Sequence, residues 1–421
     1  MTSIAIASPR PIMIAETFLR PVLIDRDRTS KILRKAGLDA LVLTEPENVY
    51  YATGIWPPLE PMGLRENSIA IVPGNAADPI AYITYQFIYY YAVADGPPAE
   101  DVEPYLVTGS DGEGAAPPML YALCKGAGAT ARERNRRDRI EAIPCFHASI
   151  ADAATRALRS RGVLSGRLGF DSLAGSDLLS HCAESASPRD ARNIVKHIRL
   201  VKTPNEISLM CKASAANVEA ALATAKQMRA LGSIRSVRRE FFRQVSELGN
   251  TPRFMAVDGV INVDTDGELR DGTSVLIDCV SHYVGYHGDF GRTVFIGEPP
   301  KRVREAVAAI STTIEELGPL LRPGLKFSGI SALGQGILSK FGDYAVPFGP
   351  HAVGLAHTDQ PMADLDGGPV DLTLEAGMII SVDCPLLEAG EGGTVHMEDL
   401  VLITPEGAVA IHDTGTRHLM V

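Results

Sequence analysis

Four carboxylate side chains stand inside or at the ends of apolar, strand-like runs in the second half of this 421-residue chain. They are Asp278 in VLID, Asp289 just before FGRTVFIG, Asp383 in MIISVD and Glu398 at the start of EDLVLIT. The alternation of side chains along a strand predicts that they point inward, where an ionised group without a partner is costly. One such residue can be a structural carboxylate, but four on neighbouring strands indicate a bound cation. The sequence therefore predicts a fold whose strands bring these acids together.

A histidine completes the predicted set. His351 stands in PFGPHAVGL, between Gly349 and Gly354. A site of many oxygens and one nitrogen suits Mn, Fe, Co or Zn better than it suits a thiolate-bound structural zinc. Two bridging carboxylates can hold two such ions about 3.5–4 Å apart, an arrangement that activates a water between them.

Length and composition exclude several classes of protein. A single core stops growing near ~250–300 residues, so two domains are expected. With 45% apolar and 22% charged residues the chain is globular, and its net charge of −11 disfavours a nucleic-acid partner. The six cysteines form no C-x-x-C pair, which is typical of reduced thiols. No apolar run approaches the ~20 residues of a membrane span, so we expect a cytoplasmic protein without a membrane partner.

Local signals predict an α/β chain with a domain boundary near residue 198. The first half alternates strands and helices, and Leu38–Gly54 is predicted as a strand, a turn at Glu45–Asn48 and an aromatic-rich element. The basic stretch 131–142 is interspersed with acids and predicts a solvated helix. Thr203, Pro204 and Glu206 together predict the start of a long helix. The predicted domains are residues 1–198 and 199–421.

The order and spacing of these motifs resemble those of the pita-bread metalloenzymes, which include methionine aminopeptidase, aminopeptidase P, prolidase and creatinase. Asp278 and Asp289 stand eleven residues apart and are followed by Arg-Thr, and His351 lies in a similar histidine-x-x-glycine turn. The segments GLDALVLTEPENVYYATG and VKTPNEISLM are similar to the prolidase–creatinase branch. The resemblance spans roughly residues 30 to 410. It implies an N-terminal creatinase-like α/β domain and a C-terminal pita-bread catalytic domain.

The resemblance also implies a ligand set and an assembly. Two divalent transition-metal ions, Mn, Fe, Co or Zn, are expected, with Asp289 and Glu398 as the bridging residues. The implied metal ligands are Asp278, Asp289, His351, Asp383 and Glu398. The branch typically forms a homodimer in which the N-terminal domain of one subunit caps the site of the other. Trp56, the only tryptophan, lies in a proline-rich loop and is the candidate for that contribution.

Several positions depart from the family pattern. Asp383 stands where the family usually has glutamate, which is one methylene longer. The histidine expected some seventeen residues before the first aspartate is absent, and His282 or His287, between the two aspartates, are candidates to replace it. His357 follows His351 by six residues where the family has seven, and is a candidate proton donor or oxyanion stabiliser. His396 replaces an arginine that could hold a substrate carboxylate.

The ligand set and the family resemblance together imply a metal-dependent hydrolase of the Xaa-Pro peptidase or prolidase type. It would cleave a carbon–nitrogen bond of a dipeptide-like or other small substrate with a metal-bridged hydroxide, and the catalytic candidates are His357, His282 and His396. The alternatives are a lyase similar to the dimethylsulfoniopropionate lyase branch, and a creatinase-like or ectoine-hydrolase-like enzyme for a small nitrogenous metabolite. A binding protein that has lost catalysis is the alternative from another class.

Overall fold

The computed structural model describes residues 20–64, 67–93, 96–109, 129–143, 145–182, 187–412 and 417–421. They divide into two compact units, one within residues 1–24 and 37–190 and the other within 25–36 and 191–421. Both contain helices and strands, which confirms the mixed α/β class. Within these described ranges, no helix is long and apolar enough to cross a membrane. The described cysteines are free thiols, and Cys124 lies outside the described residues.

The elements are numbered in chain order. The helices are α1 Arg26–Ala36, α2 Pro46–Thr53, α3 Gln86–Ala92, α4 Ala131–Glu141, α5 Ile150–Ser160, α6 Leu173–Cys182, α7 Arg192–Arg199, α8 Pro204–Ala225, α9 Met228–Leu231, α10 Ile234–Glu247, α11 Lys301–Leu317 and α12 Phe327–Leu338. The strands are β1 Ala40–Leu43, β2 Ser68–Pro73, β3 Ile80–Tyr85, β4 Val102–Val107, β5 Phe146–His147, β6 Arg167–Phe170, β7 Ser187–Asp190, β8 Thr251–Val257, β9 Thr273–Tyr283, β10 Tyr286–Ile296, β11 Gly349–Ala352, β12 Ile379–Asp383, β13 Leu386–Gly390, β14 Gly393–Val395, β15 Glu398–Asp399, β16 Val401–Thr404, β17 Gly407–Ala410 and β18 His418–Met420. Short 3-10 turns lie at Glu60–Met62 and Gly318–Leu320.

The first unit is built on a mixed seven-stranded sheet in the order β5-β4-β3-β2-β1-β6-β7. The predicted turn at Glu45–Asn48 is wrong, because helix α2 begins at Pro46. Proline fits the first position of a helix, where its missing N–H would have no intrahelical partner. The basic stretch forms helix α4, of which only Ile140 is buried, so the predicted solvated helix is confirmed.

The second unit opens its long helix as predicted. Thr203 accepts a hydrogen bond from the Glu206 N–H, and the Glu206 side chain accepts one from the Thr203 N–H. This reciprocal cap satisfies two backbone donors at the start of α8.

The hairpin β9–β10 lies at the centre of a sheet in the order β15-β10-β9-β8, with β18 also paired to β10. One face packs against α8 and α10 through an apolar cluster that includes Phe241, Cys279 and Phe290. Because side chains alternate along a strand, Asp278 and Asp289 lie on the opposite face.

The second sheet has the order β11-β12-β16-β17. Ile380 and Val382 of β12 belong to an apolar cluster with residues of α11 and α12, including Ile310 and Ile330. Alternation therefore assigns Asp383 to the other face of β12. Each of the two sheets thus has one face packed against helices and one that carries carboxylates.

Candidate metal centre

Strand register brings three acidic residues to one face of the first sheet. Gly291 of β10 lies opposite Asp278 of β9 on one side and opposite Glu398 of β15 on the other. Asp289 precedes Gly291 by two residues and so shares its face. Asp278 and Glu398 are distant in sequence, but in the sheet only Gly291 lies between them.

Gly291 is required for this arrangement because of its small size. A Cβ atom at this position would lie 2.3 Å from His396 Nε2 and 2.9 Å from Glu398 Cβ. Any larger residue would therefore displace both side chains from the face they occupy.

The second sheet supplies the other predicted ligands. His351 of β11 lies opposite Ser381 of β12, two residues before Asp383. His351 Nε2 lies 3.2 Å from Glu398 Oε1 and 3.6 Å from Asp289 Oδ2. Residues from both sheets therefore converge, and all five side chains of the predicted ligand set take part in this convergence.

Three overlapping groups of side chains have ligand atoms within 4.8 Å of one another. They are Asp289 with His351 and His357, Asp278 with His396 and Glu398, and His351 with Asp383 and Glu398. Asp278 Oδ1 and both carboxylate oxygens of Asp289 are buried without a hydrogen-bond partner among the described residues. Buried polar atoms are normally satisfied. Carboxylate oxygens and imidazole nitrogens that converge in this way fit a divalent transition metal.

The acids of this centre perturb one another. Burial and the charge of Glu398 raise the pKa of Asp289 well above its usual range, and the same causes raise the pKa of Asp278 to about 7. Burial also opposes ionisation of Glu398, but hydrogen bonds with His351 and His396 hold its pKa well below the usual range. A bound cation would favour the ionised form of all these carboxylates.

His357 lies beside the same carboxylates but reaches solvent. Its side chain is 43% exposed, and its Nε2 atom lies 3.0 Å from Asp289 Oδ2. Its ring centroid is 4.8 Å from that of His351. The structure therefore brings this catalytic candidate to the open side of the centre.

His282, the second catalytic candidate, is in none of the three groups. Its Nδ1 atom accepts a hydrogen bond from the Gly285 N–H in the turn of the β9–β10 hairpin. Burial and the nearby Arg253 lower the pKa of His282 to about 4. Neighbouring His287 is buried and bonded to the Gly354 carbonyl. A catalytic role for His282 stays a prediction.

Arg292 is a residue of the centre that the sequence reasoning missed. Its buried guanidinium donates to both carboxylate oxygens of Asp399, at 2.7 and 3.0 Å, and to the Glu398 carbonyl at 2.9 Å. His412 Nε2 lies 2.9 Å from the same Asp399 carboxylate. These contacts fix β15 against β10 and so hold Glu398 in place. The signal for its role was the Arg-Thr pair that follows Asp289 in β10.

A second missed feature is a buried ion-pair cluster, here named the anchor cluster, formed by Arg199, Lys202, Glu206 and Asp359. Asp359 pairs with Arg199 through a short hydrogen bond, accepts the Leu355 N–H at 3.2 Å, and lies 3.7 Å from Lys202 Nζ. Because Asp359 follows His357 by two residues, these contacts fix the loop that carries the exposed imidazole.

Comparison with known proteins agrees with this geometry. The model of metallopeptidase family M24 matches residues 195–405, about half of the chain. The chain belongs to the metallopeptidase family M24. The model of the creatinase/prolidase N-terminal domain matches residues 26–201 of this M24 protein. The predicted prolidase–creatinase branch of the pita-bread family is thereby confirmed.

Relatives of this M24 protein include peptidases. The "Probable dipeptidase PepE" of Mycobacterium tuberculosis is 30% identical over 152 residues, which are 35% of this chain and 40% of that protein. The matched part therefore spans less than half the length of that relative. The "Xaa-Pro dipeptidase" of Pyrococcus furiosus is 24% identical over 265 residues, 59% of this chain and 74% of that protein.

Solved structures share the fold. The Xaa-Pro dipeptidase from Bacillus anthracis superimposes with a TM-score of 0.67 at 19% identity, covering 94% of this chain and 99% of that chain. The prolidase from Pyrococcus horikoshii OT3 gives a TM-score of 0.65 at 17% identity, with coverage of 92% and 98%. The predicted fold of a creatinase-like domain followed by a pita-bread domain is confirmed by these likenesses.

Proposed function

We propose that this M24 protein is a metal-dependent peptidase that hydrolyses the amide bond of short peptides, with Xaa-Pro dipeptides as the first substrate class. The observation that carries the proposal is the convergence of buried, unpaired carboxylate oxygens and an imidazole from two sheets. The names of the relatives, a dipeptidase and an Xaa-Pro dipeptidase, support the same reaction. The comparisons do not favour the lyase, creatinase-like or binding-protein alternatives.

In this proposal two divalent ions would be held at the centre, with Asp289 and Glu398 among their ligands. The remaining ligands are Asp278, His351 and Asp383. Divalent ions bound there would polarise the scissile carbonyl and lower the pKa of the attacking water. Glu398 and His351 each belong to two of the three ligand groups.

His357 moves the proton in this proposal. Amide hydrolysis requires a base for the water and an acid for the leaving nitrogen, and an imidazole serves both purposes near neutral pH. Its Nε2 atom lies next to Asp289 Oδ2, which orients the ring, while the exposed side of the ring remains accessible to a substrate. Asp359 holds the loop in the position that this contact requires.

We extend the proposal to a homodimer in which Trp56 contributes to the site of the partner subunit. The resemblance to the prolidase–creatinase branch supports this assembly. Within its own unit Trp56 packs against Tyr50, with ring centroids 5.4 Å apart. A Trp56→Ala variant with unchanged kcat and KM would exclude the contribution. A cytoplasmic location stays a prediction.

The proposal is tested on protein purified without chelators. Elemental analysis is expected to find stoichiometric Mn, Fe, Co or Zn, and a panel of Xaa-Pro and other dipeptides is expected to release free amino acids. Absence of bound transition metal, or absence of turnover after metal is added, would exclude the peptidase. Release of acrylate and dimethyl sulfide from dimethylsulfoniopropionate would instead establish the lyase.

A further inference from the structure

His396 is the imidazole placed most deeply among the carboxylates. It is 2% exposed, and its Nε2 atom lies 3.3 Å from Glu398 Oε2 and 3.4 Å from Asp383 Oδ1. With Asp278 and Glu398 it forms one of the three groups whose ligand atoms are mutually within 4.8 Å. The ring therefore faces carboxylates from both sheets.

The backbone position of residue 396 is fixed by hydrogen bonds with β10. The His396 N–H donates to Thr293 Oγ1 at 2.9 Å, and the Thr293 hydroxyl donates to the His396 carbonyl at 3.0 Å. The absence of a side chain at Gly291 leaves the space in which the imidazole lies. Its Nδ1 atom is buried and has no hydrogen-bond partner among the described residues. The polar contacts of the ring are thus made at Nε2, toward the acids.

The distances distinguish two roles for this nitrogen. A charge-assisted N–H···O bond is typically about 2.7–2.9 Å long. Two ligand atoms that each lie about 2.0–2.2 Å from a shared ion are separated by roughly 2.8–3.6 Å. The 3.3 Å contact with Glu398 is a long hydrogen bond, and both separations around His396 Nε2 fall in the range for two ligands of one ion.

We propose that His396 Nε2 is a metal ligand that acts together with Asp278 and Glu398. This inference rests on the proposed metallopeptidase function and deepens it. Arginine, which the family resemblance leads one to expect at this position, remains protonated and cannot donate a lone pair to an ion. The replacement by histidine therefore converts a fixed cation into a second nitrogen ligand, in addition to His351. A centre richer in imidazole favours Zn, Co or Fe over Mn.

Two variants separate the ligand role from a cationic role. Apo protein is titrated with Co(II), and binding is followed by visible d–d absorption and by elemental analysis. We expect His396→Ala and His396→Arg both to weaken the binding of one cobalt ion at least about 100-fold, since even residues that only support a ligand cost about 10–100-fold. His418→Gln, at an exposed histidine of the same unit, is the control and should bind cobalt as the wild type does.

The outcomes are distinguishable. If His396→Arg keeps wild-type cobalt affinity while His396→Ala loses it, the residue acts as a cation and the inference is wrong. If both variants bind cobalt normally, the inference is also wrong, but the proposed metallopeptidase stands. If the wild type binds no cobalt, the proposed function itself fails.

X-ray absorption of the cobalt-loaded wild type tests the same point without any variant. With two ions bound, about one imidazole per cobalt is expected when His351 and His396 both ligate, and about half of one when only His351 does. The lower value would overturn the assignment even if the variants at residue 396 fail to fold.

Discussion

Two buried clusters of charged side chains lie in the second unit, and they differ in how their charges are balanced. The anchor cluster contains two cations, Arg199 and Lys202, and two carboxylates, Glu206 and Asp359. The candidate metal centre contains four carboxylates, and the side-chain nitrogen groups that face them in the described structure are imidazoles. The first cluster can be balanced by its own side chains, whereas the second has an excess of acid.

Asp359 and Asp289 are both aspartates and are equally buried, with 1% and 0% of their surface exposed. They differ in the charged groups around them. Burial opposes ionisation of Asp359, but Arg199 and Lys202 hold its pKa below the usual range. Burial raises the pKa of Asp289, and the charge of Glu398 raises it further. The chain thus supplies the partners of a carboxylate that anchors a loop. Near Asp289 it supplies imidazoles but no lysine or arginine, so a fixed positive charge would come from outside.

The largest expected effect follows from removing an acid of the metal centre. Asp289→Ala should lower kcat/KM by about 10³–10⁴-fold, because electrostatic stabilisation by bound metal is worth several kcal/mol and each 1.36 kcal/mol changes the rate tenfold. Steady-state kinetics on the best dipeptide of the panel measure this loss.

A stability measurement on the same variant sharpens the comparison. Metal at about 100 times its Kd should stabilise the wild type by about 2.7 kcal/mol. The Asp289→Ala variant should gain much less from the same metal concentration. An equal gain in both proteins would show that Asp289 is not a ligand.

Breaking the anchor cluster should instead affect stability without metal. Asp359→Asn leaves Arg199 and Lys202 buried without their principal carboxylate, and removing one partner of a buried ion pair costs about 3–5 kcal/mol. Urea denaturation of the apo protein measures the change in the free energy of unfolding. Asp343→Asn, at an exposed position, is the control. A change below about 1 kcal/mol would mean that the anchor cluster does not depend on this carboxylate.

The two clusters also differ in how far the sequence predicted them. Alternation and spacing were sufficient to single out Asp278 and Asp289, because they lie on adjacent strands of one hairpin. His351 was added from its place in the turn PFGPHAVGL, and the structure brings it to the same acids. The family resemblance pointed to His357 through its spacing from His351, but its contact with Asp289 Oδ2 requires the folded loop.

No local sequence pattern predicted the anchor cluster. Arg199 and Asp359 are separated by 160 residues, and neither stands in a periodic motif that points to the other. The space that Gly291 leaves for His396 is likewise a contact between strands distant in sequence. The turn predicted at Glu45–Asn48 failed for a different reason, since proline is common both in turns and at the first position of a helix.

His357 joins the two clusters, because its ring faces Asp289 and its loop is held by Asp359. His357→Gln should lower kcat about 100-fold, which is typical for the loss of a general acid or base. Metal content should stay at the wild-type level if the residue moves protons. Loss of bound metal in elemental analysis would show that His357 is a ligand instead.

The smallest expected effect tests the charge balance of the anchor cluster through pH. Glu206 accepts hydrogen bonds from the Thr203 N–H at 2.8 Å and the Tyr286 hydroxyl at 3.0 Å, yet burial raises its pKa to about 7 despite the opposing charge of Lys202.

Because the folded protein holds the Glu206 proton more tightly than the unfolded chain, the associated stability is present below about pH 4.5 and is lost as pH rises through about 7. Glu206→Gln does not ionise, and its amide can accept from the Thr203 N–H and donate to the Tyr286 hydroxyl. Its free energy of unfolding relative to wild type should therefore rise by about 2 kcal/mol between pH 5 and pH 8. Glu219→Gln, at an exposed position of the same helix, controls for the substitution. A Glu206→Gln difference that stays constant over this range would mean that Lys202 keeps Glu206 ionised, and that all four groups of the anchor cluster are charged.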